Sequence, residues 1–183
     1  ALFRNEGEQG FVDVTERVGL RLDNTRFSFA SVWEDYDRDG DPDLFVVNDF
    51  GVNNLYRNDG ARGFVEVTIE SGMGEGTFGM SAAAADYDRD GWIDFYKANM
   101  YSSAGNRVTT QAQFMPEASA EHRHRLLVMA QGNSLYRNRE GRFTDVAQDT
   151  GVAMGRWSWG SVFIDMNNDG WEDLFVSNGF ITG

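Results

Sequence analysis

Short apolar runs recur along the chain, each closed by glycine, asparagine or aspartate. Residues 30–33 and 44–47 flank one acidic turn with Ala-Ser-Val-Trp and Leu-Phe-Val-Val. Runs of about four to eight such residues between turn formers read as strands. A second kind of block repeats three times. Leu2-Phe3-Arg4-Asn5 leads to Phe11-Val12-Asp13-Val14-Thr15, Leu55-Tyr56-Arg57-Asn58 to Phe64-Val65-Glu66-Val67-Thr68, and Leu135-Tyr136-Arg137-Asn138 to Phe143-Thr144-Asp145-Val146. Each is a strand, an Asn/Gly turn and a second strand. Only residues 101–131 break the pattern. There Pro116 suits a first helical turn, Glu117 and Glu121 the positive end, Arg123 and Arg125 the negative end, and Gly132 a stop, which predicts one helix near 115–131. Ala118, His122, Leu126 and Met129 share a stripe, so His122 is expected to pack over a strand layer rather than bind a metal, and His124 to face solvent.

The acidic turns also repeat: Asp35-Tyr36-Asp37-Arg38-Asp39-Gly40, Asp86-Tyr87-Asp88-Arg89-Asp90-Gly91 and Asp165-Met166-Asn167-Asn168-Asp169-Gly170. The first two starts are 51 positions apart and the next two 79, so a period of about 51 carries one insertion of 28 residues. Two strands around the acidic turn and two in the hairpin block make four per unit, the content of a β-propeller blade. The expected fold is therefore all-β: a partial propeller of about three four-stranded blades, with strands grouped two, four, four and two, and one helical insertion. Because propellers close with roughly four or more blades, the chain reads as an arc of a larger ring. The expected units are 1–28 (end of one blade), 29–79 (a blade), 80–157 (a blade with insertion 101–131) and 158–183 (start of the next).

Composition sharpens the chemistry. The formal charge is −13, with no basic run, which excludes nucleic acid as a partner and favours a cation. There is no cysteine, no apolar stretch long enough to span a bilayer, and no signal peptide at the start of the sequence. Asp at loop positions 1, 3 and 5 with Gly at 6 lets a tight loop turn oxygen ligands inward, joined by the carbonyl of position 7, and hard oxygens select Ca²⁺. An EF-hand would need an acid at position 12, where Val46, Lys97 and Val176 stand; instead Asp occurs at position 9. The expected ligands are Asp35, Asp37, Asp39, Asp41 and Asp43 in the first loop. In the second they are Asp86, Asp88, Asp90, Trp92 and Asp94, and in the third Asp165, Asn167, Asp169, Trp171 and Asp173, with Asp41, Trp92 and Trp171 contributing backbone carbonyls. Three Ca²⁺ sites follow. Arg38 and Arg89, at position 4, are expected to point outward as loop-surface residues, and Trp92 and Trp171 to cover a neighbouring blade rather than stack on a sugar.

These blocks resemble FG-GAP/VCBS-type repeats, also found in integrin α-subunit propellers. Met100-Tyr101-Ser102-Ser103-Ala104-Gly105-Asn106-Arg107 and Gly155-Arg156-Trp157-Ser158-Trp159-Gly160-Ser161 are similar to bacterial relatives of cartilage acidic protein, which carry an ASPIC/UnbV region after the propeller. The resemblance implies an extracytoplasmic, non-catalytic propeller with calcium in each acidic loop. The expected function is a calcium-binding structural or interaction module, secreted or on the cell surface, that presents loops to a protein or glycan beside the remaining blades. The alternative is a Ca²⁺-dependent polysaccharide lyase or hydrolase. It has few free acids, since the expected ligand side chains hold eleven of the negative charges.

Overall fold

The computed structural model describes residues 1–21, 24–111 and 113–179. Those parts of the expected units and insertion that fall on residues 22, 23, 112 and 180–183 lie outside the description. In chain order the strands are β1 (Phe3–Asn5), β2 (Phe11–Asp13), β3 (Phe27–Glu34), β4 (Asp43–Asp49), β5 (Gly51–Val52), β6 (Asn54–Asn58) and β7 (Phe64–Glu66). They continue with β8 (Gly76–Thr77), β9 (Gly79–Ala85) and β10 (Asp94–Asn99). After the helices α1 (Ser103–Thr109) and α2 (Ala120–Ala130) come β11 (Ser134–Arg139), β12 (Arg142–Asp145), β13 (Ser158–Ile164) and β14 (Asp173–Asn178).

Two sheets have four strands, β3-β4-β6-β7 and β9-β10-β11-β12, and β1-β2 and β13-β14 form two-stranded sheets. A small β5-β8 ladder links the two larger sheets. All pairings are antiparallel between neighbours in sequence order, apart from that ladder, so each sheet is a meander. The two, four, four, two grouping is the one the repeat requires, and the fold is an all-β, partial propeller with helices inserted. The register recurs to the residue: Glu34 faces Asp43, Ala85 faces Asp94 and Ile164 faces Asp173. Each of these pairs also shifts register near its far end, at Ser28/Ala30, Ala98/Asn99 and Ser158/Gly160.

Alternation along the strands explains how the sheets stack. On β4, Leu44 packs with Leu20 and Tyr56 against the β1-β2 side, whereas Phe45 and Val47 face the next sheet. On β10, Phe95 joins Phe45, Leu55, Tyr136 and Phe143 on one face, and Tyr96 and Ala98 join Leu135, Val146 and Ala153 on the other, with Phe163 and Leu174 packed beside them. The central strands β4 and β10 are thus buried on both faces, which is why β4 reads as the continuous apolar run Leu44-Phe45-Val46-Val47. The three core clusters are the three interfaces between successive sheets. β9 is built of small residues and lies against β3, β4 and β13. A side chain at Gly79 would bring its Cβ to 2.2 Å from the Val47 methyl, so glycine is needed for that approach. Lys97 is fully buried in this interior; its Nζ donates to the Tyr136 hydroxyl at 3.1 Å and lies 5.3 Å from the Tyr136 ring centroid.

The insertion differs from its expectation, because it holds two helices rather than one. Ser102 caps α1 by accepting from Gly105 N at 2.9 Å, although Gly105, Val108 and Thr109 are weak helix formers. The helix is held instead by α2, through the Asn106 side-chain amide on the Ala130 carbonyl. Pro116 lies in turns ahead of α2, whose N-cap is Ser119, accepting from His122 N at 3.1 Å. His122 is exposed, so it does not pack over a strand layer; the buried face of α2 is Val128 and Ala130. His124 faces solvent, 3.8 Å from Glu75. The two sequence strings singled out at 100–107 and 155–161 meet: Met100 bridges Trp157, and Tyr101 N donates to the Arg156 carbonyl at 2.7 Å.

Phe95 is fully buried, stacked 4.9 Å from Phe45 and 5.4 Å from Phe143. Phe95→Ala is expected to cost about 3–5 kcal/mol. Denaturant unfolding should show a lower midpoint with an unchanged slope, and a loss below about 1 kcal/mol would contradict the central place of this interface.

Candidate metal centres

Each acidic loop joins the first two strands of a sheet and folds in the same way. Positions 4 and 6 adopt left-handed backbone: φ is 65°, 56° and 58° at Arg38, Arg89 and Asn168, and 93°, 90° and 86° at Gly40, Gly91 and Gly170. Only glycine takes this region without penalty, which accounts for position 6. The turn carries the amides of positions 5 and 6 back onto the first carboxylate. Asp35 accepts from Asp39 N at 3.1 Å and Gly40 N at 3.0 Å, Asp86 from Asp90 N at 3.0 Å and Gly91 N at 2.8 Å, and Asp165 from Asp169 N at 3.1 Å and Gly170 N at 2.8 Å. Position 5 accepts from position 7, at 2.9 Å for Asp39, 2.9 Å for Asp90 and 2.8 Å for Asp169.

The ninth-position aspartate closes the loop and ties it to the hairpin block. Asp43, Asp94 and Asp173 each accept the amide of position 2, at 3.1, 3.3 and 3.1 Å. Asp43 also accepts Asn58 N, and Asp94 accepts Asn138 N, both at 2.7 Å. The asparagines return the tie: Asn58 Nδ2 donates to the Pro42 carbonyl at 3.1 Å, and Asn138 Nδ2 to those of Ile93 at 3.0 Å and Tyr36 at 2.8 Å. The last bond reaches from one sheet into the loop of its neighbour. Sequence reading overlooked these asparagines, although the thrice-repeated Leu-Tyr/Phe-Arg-Asn string was the available signal. Asp43 and Asp94 are fully buried. Desolvation pushes both carboxyls up to about 7, against the backbone hydrogen bonds they accept.

Among the described residues, two groups of carboxylates are each close enough to hold an ion. Asp35, Asp37 and Asp39 bring ligand oxygens within 4.8 Å of one another, as do Asp86, Asp88 and Asp94. Burial, followed by the Asp39 charge, raises the Asp37 carboxyl above its ordinary range. In the second loop Asp88 Oδ1 is buried without a hydrogen-bond partner, while Arg139 pairs with Asp88 Oδ2 at 2.9 Å and with Asp90. Arg139 follows Asn138 where the first unit has Asp59, and its partner Asp90 is not among the three gathered carboxylates; sequence reading missed this arginine. In the third loop Asn167 stands in for a carboxylate and donates to Asp169 Oδ2 at 3.0 Å. Asp169 is held below the ordinary range by the Trp171 amide and then by Asn167. The seventh-position residues Asp41, Trp92 and Trp171 occupy equivalent turns. Arg38 and Arg89 do lie on the loop surface, but each packs on the next loop: Arg38 5.3 Å from the Trp92 ring centroid and Arg89 4.6 Å from that of Trp171. Each indole thus meets the neighbouring blade through the arginine of its loop, and Trp171 stays half exposed.

A family model described as an FG-GAP-like repeat matches residues 35–96 and 126–176, more than half of the chain. The gap between the two segments falls largely on the insertion. A search of curated proteins gave no match.

Asn138 is fully buried, and its side chain serves two carbonyls of two loops while accepting Gly141 N at 2.9 Å. Asn138→Ala is expected to destabilise the protein by about 2–4 kcal/mol, since it leaves buried backbone groups unpaired. Equilibrium unfolding measures this. A change within about 0.5 kcal/mol would show that the tie between neighbouring loops carries no weight.

Proposed function

The chain belongs to the FG-GAP-like repeat family, and from that premise we propose that it is a calcium-binding interaction module of an extracytoplasmic propeller protein. Repeats of this family generally build structural or interaction modules rather than enzymes. The observation that carries the calcium reading is the threefold loop: one backbone course, an oxygen-bearing Asp or Asn at positions 1, 3, 5 and 9, and no histidine or cysteine in any of them. Oxygen donors in a flexible, tightly turned loop suit Ca²⁺ better than softer or smaller ions. The buried, unpartnered Asp88 oxygen fits a cation, which would also relieve the mutual repulsion of these carboxylates.

The first site would use Asp35, Asp37, Asp39, the Asp41 carbonyl and Asp43, and the second Asp86, Asp88, Asp90, the Trp92 carbonyl and Asp94. The third would use Asp165, Asn167, Asp169, the Trp171 carbonyl and Asp173, with lower affinity because Asn167 removes a charge. We assign the units as 1–28, 29–79, 80–157 and 158–183, parts of one ring with further blades. The strings at 100–107 and 155–161 are the residues on which kinship with cartilage acidic protein-like, ASPIC/UnbV-associated proteins is proposed. An extracytoplasmic location follows from the calcium concentrations that weak sites need, and no helix among the described residues is long and apolar enough to cross a membrane. The loops would be presented to a protein or glycan, as in adhesion.

Calcium titration by calorimetry tests the reading, with a thermal melt in chelator as its companion. A site filled at 100 times its Kd should add about 2.7 kcal/mol, and the melting temperature should rise accordingly. Asp86→Ala should remove one binding event and more stabilisation than Asn167→Ala. A melt unaffected by chelation would overturn the proposal.

A further inference from the structure

We propose that the arginine at the fourth position of each of the first two loops couples that loop's metal site to the site in the next loop, a proposal that rests on the calcium reading. The contact recurs at both loop junctions. Arg38 lies over Trp92, and a side chain built on Gly91 would come within 3.4 Å of Arg38 Nη1. Arg89 lies over Trp171, and one built on Gly170 would come within 2.4 Å of Arg89 Nη2. Each guanidinium therefore rests on the sixth and seventh residues of its neighbour, the peptide whose seventh-position carbonyl would serve the next site under the calcium reading.

The loop's own conformation does not call for arginine. Position 4 is left-handed in all three loops, a region that suits asparagine better than arginine, and the third loop has Asn168 there at φ 58°. Arginine is found where the next loop offers tryptophan at position 7, in both cases. Asp37 and Asp39, if they held one ion, would fix the backbone of Arg38 between them. The seated guanidinium then holds Gly91 and Trp92 in the position the second site needs, so filling the first loop favours filling the second. The same logic links Arg89 to the third loop. Coupling of this kind needs only that each ion orders a segment the neighbour would otherwise have to order itself.

Residue-resolved NMR titration with Ca²⁺ tests the coupling, because the amide signals of Gly40, Gly91 and Gly170 report the three loops separately. Asp35→Ala, which disables the first site, should weaken Ca²⁺ binding at Gly91 about two- to fivefold, the size of one exposed cation–π contact. In an Arg38→Asn background the same change should leave the Gly91 curve where it was. An equal effect of Asp35→Ala in both backgrounds, or none in either, overturns the coupling while leaving the calcium sites intact. Where Asp35→Ala disturbs folding, seen as lost amide-signal dispersion in the absence of Ca²⁺, Asp35→Asn, which removes the charge and keeps an acceptor for the Asp39 and Gly40 amides, replaces it with the same expectations. A Gly91 signal that ignores Ca²⁺ in the unsubstituted protein overturns the calcium reading, and the coupling falls with it.

Discussion

The carboxylate at the ninth loop position holds each complete sheet together. Asp43 and Asp94 begin the second strand of their sheets, are fully removed from solvent, and accept one amide from their own acidic loop and one from the third strand. A carboxylate in that position is stable as an anion only when its charge is met, and two backbone amides meet it in part. The clustered aspartates beside it add repulsion. A divalent ion would resolve both problems at once, and under the proposed reading metal binding, strand pairing and the placing of the loops become one physical matter.

From those fixed points the stacking follows. With both hairpins of a sheet locked in register, alternate residues of the central strands project to opposite faces, and Phe95 and Tyr96 supply neighbouring cores from one strand. Stability is thereby distributed along the stack, each layer depending on those beside it, in the manner of repeat architectures. Asn138 and the two arginine–tryptophan contacts extend the same dependence to the loop edge, so that neighbouring acidic loops touch rather than stand alone.

Much of this was legible in the sequence because the repeat is a property of one dimension. The 51-residue spacing, the strands around each Asp-rich turn and the grouping of strands all follow from local pattern and period. The cross-unit contacts were not legible. Asn138 reaches Tyr36 across 102 residues, a partner that the repeated Leu-Tyr/Phe-Arg-Asn string marks no more than it marks the bond of Arg139 to Asp88, 51 residues away within one sheet. The pairing of Arg38 with Trp92 needed the loops to be set side by side in space. In the insertion, local signals misled: Pro116 resembled a helix start, but the Ser119 cap won, and α1 formed from weak formers because α2 and the Ser102 cap held it. His122 fell on an apolar stripe too sparse to fix which face of α2 would be buried.

Hydrogen exchange at backbone amides, with and without Ca²⁺, tests the central claim most directly. Calcium should slow exchange at Gly40 and Gly91 in the loops and also at Asn58 and Asn138, whose amides lie in the hairpin blocks and reach the loops only through Asp43 and Asp94. Exchange at Asn58 and Asn138 that is the same with and without Ca²⁺ would contradict a metal-closed loop as the lock of each sheet.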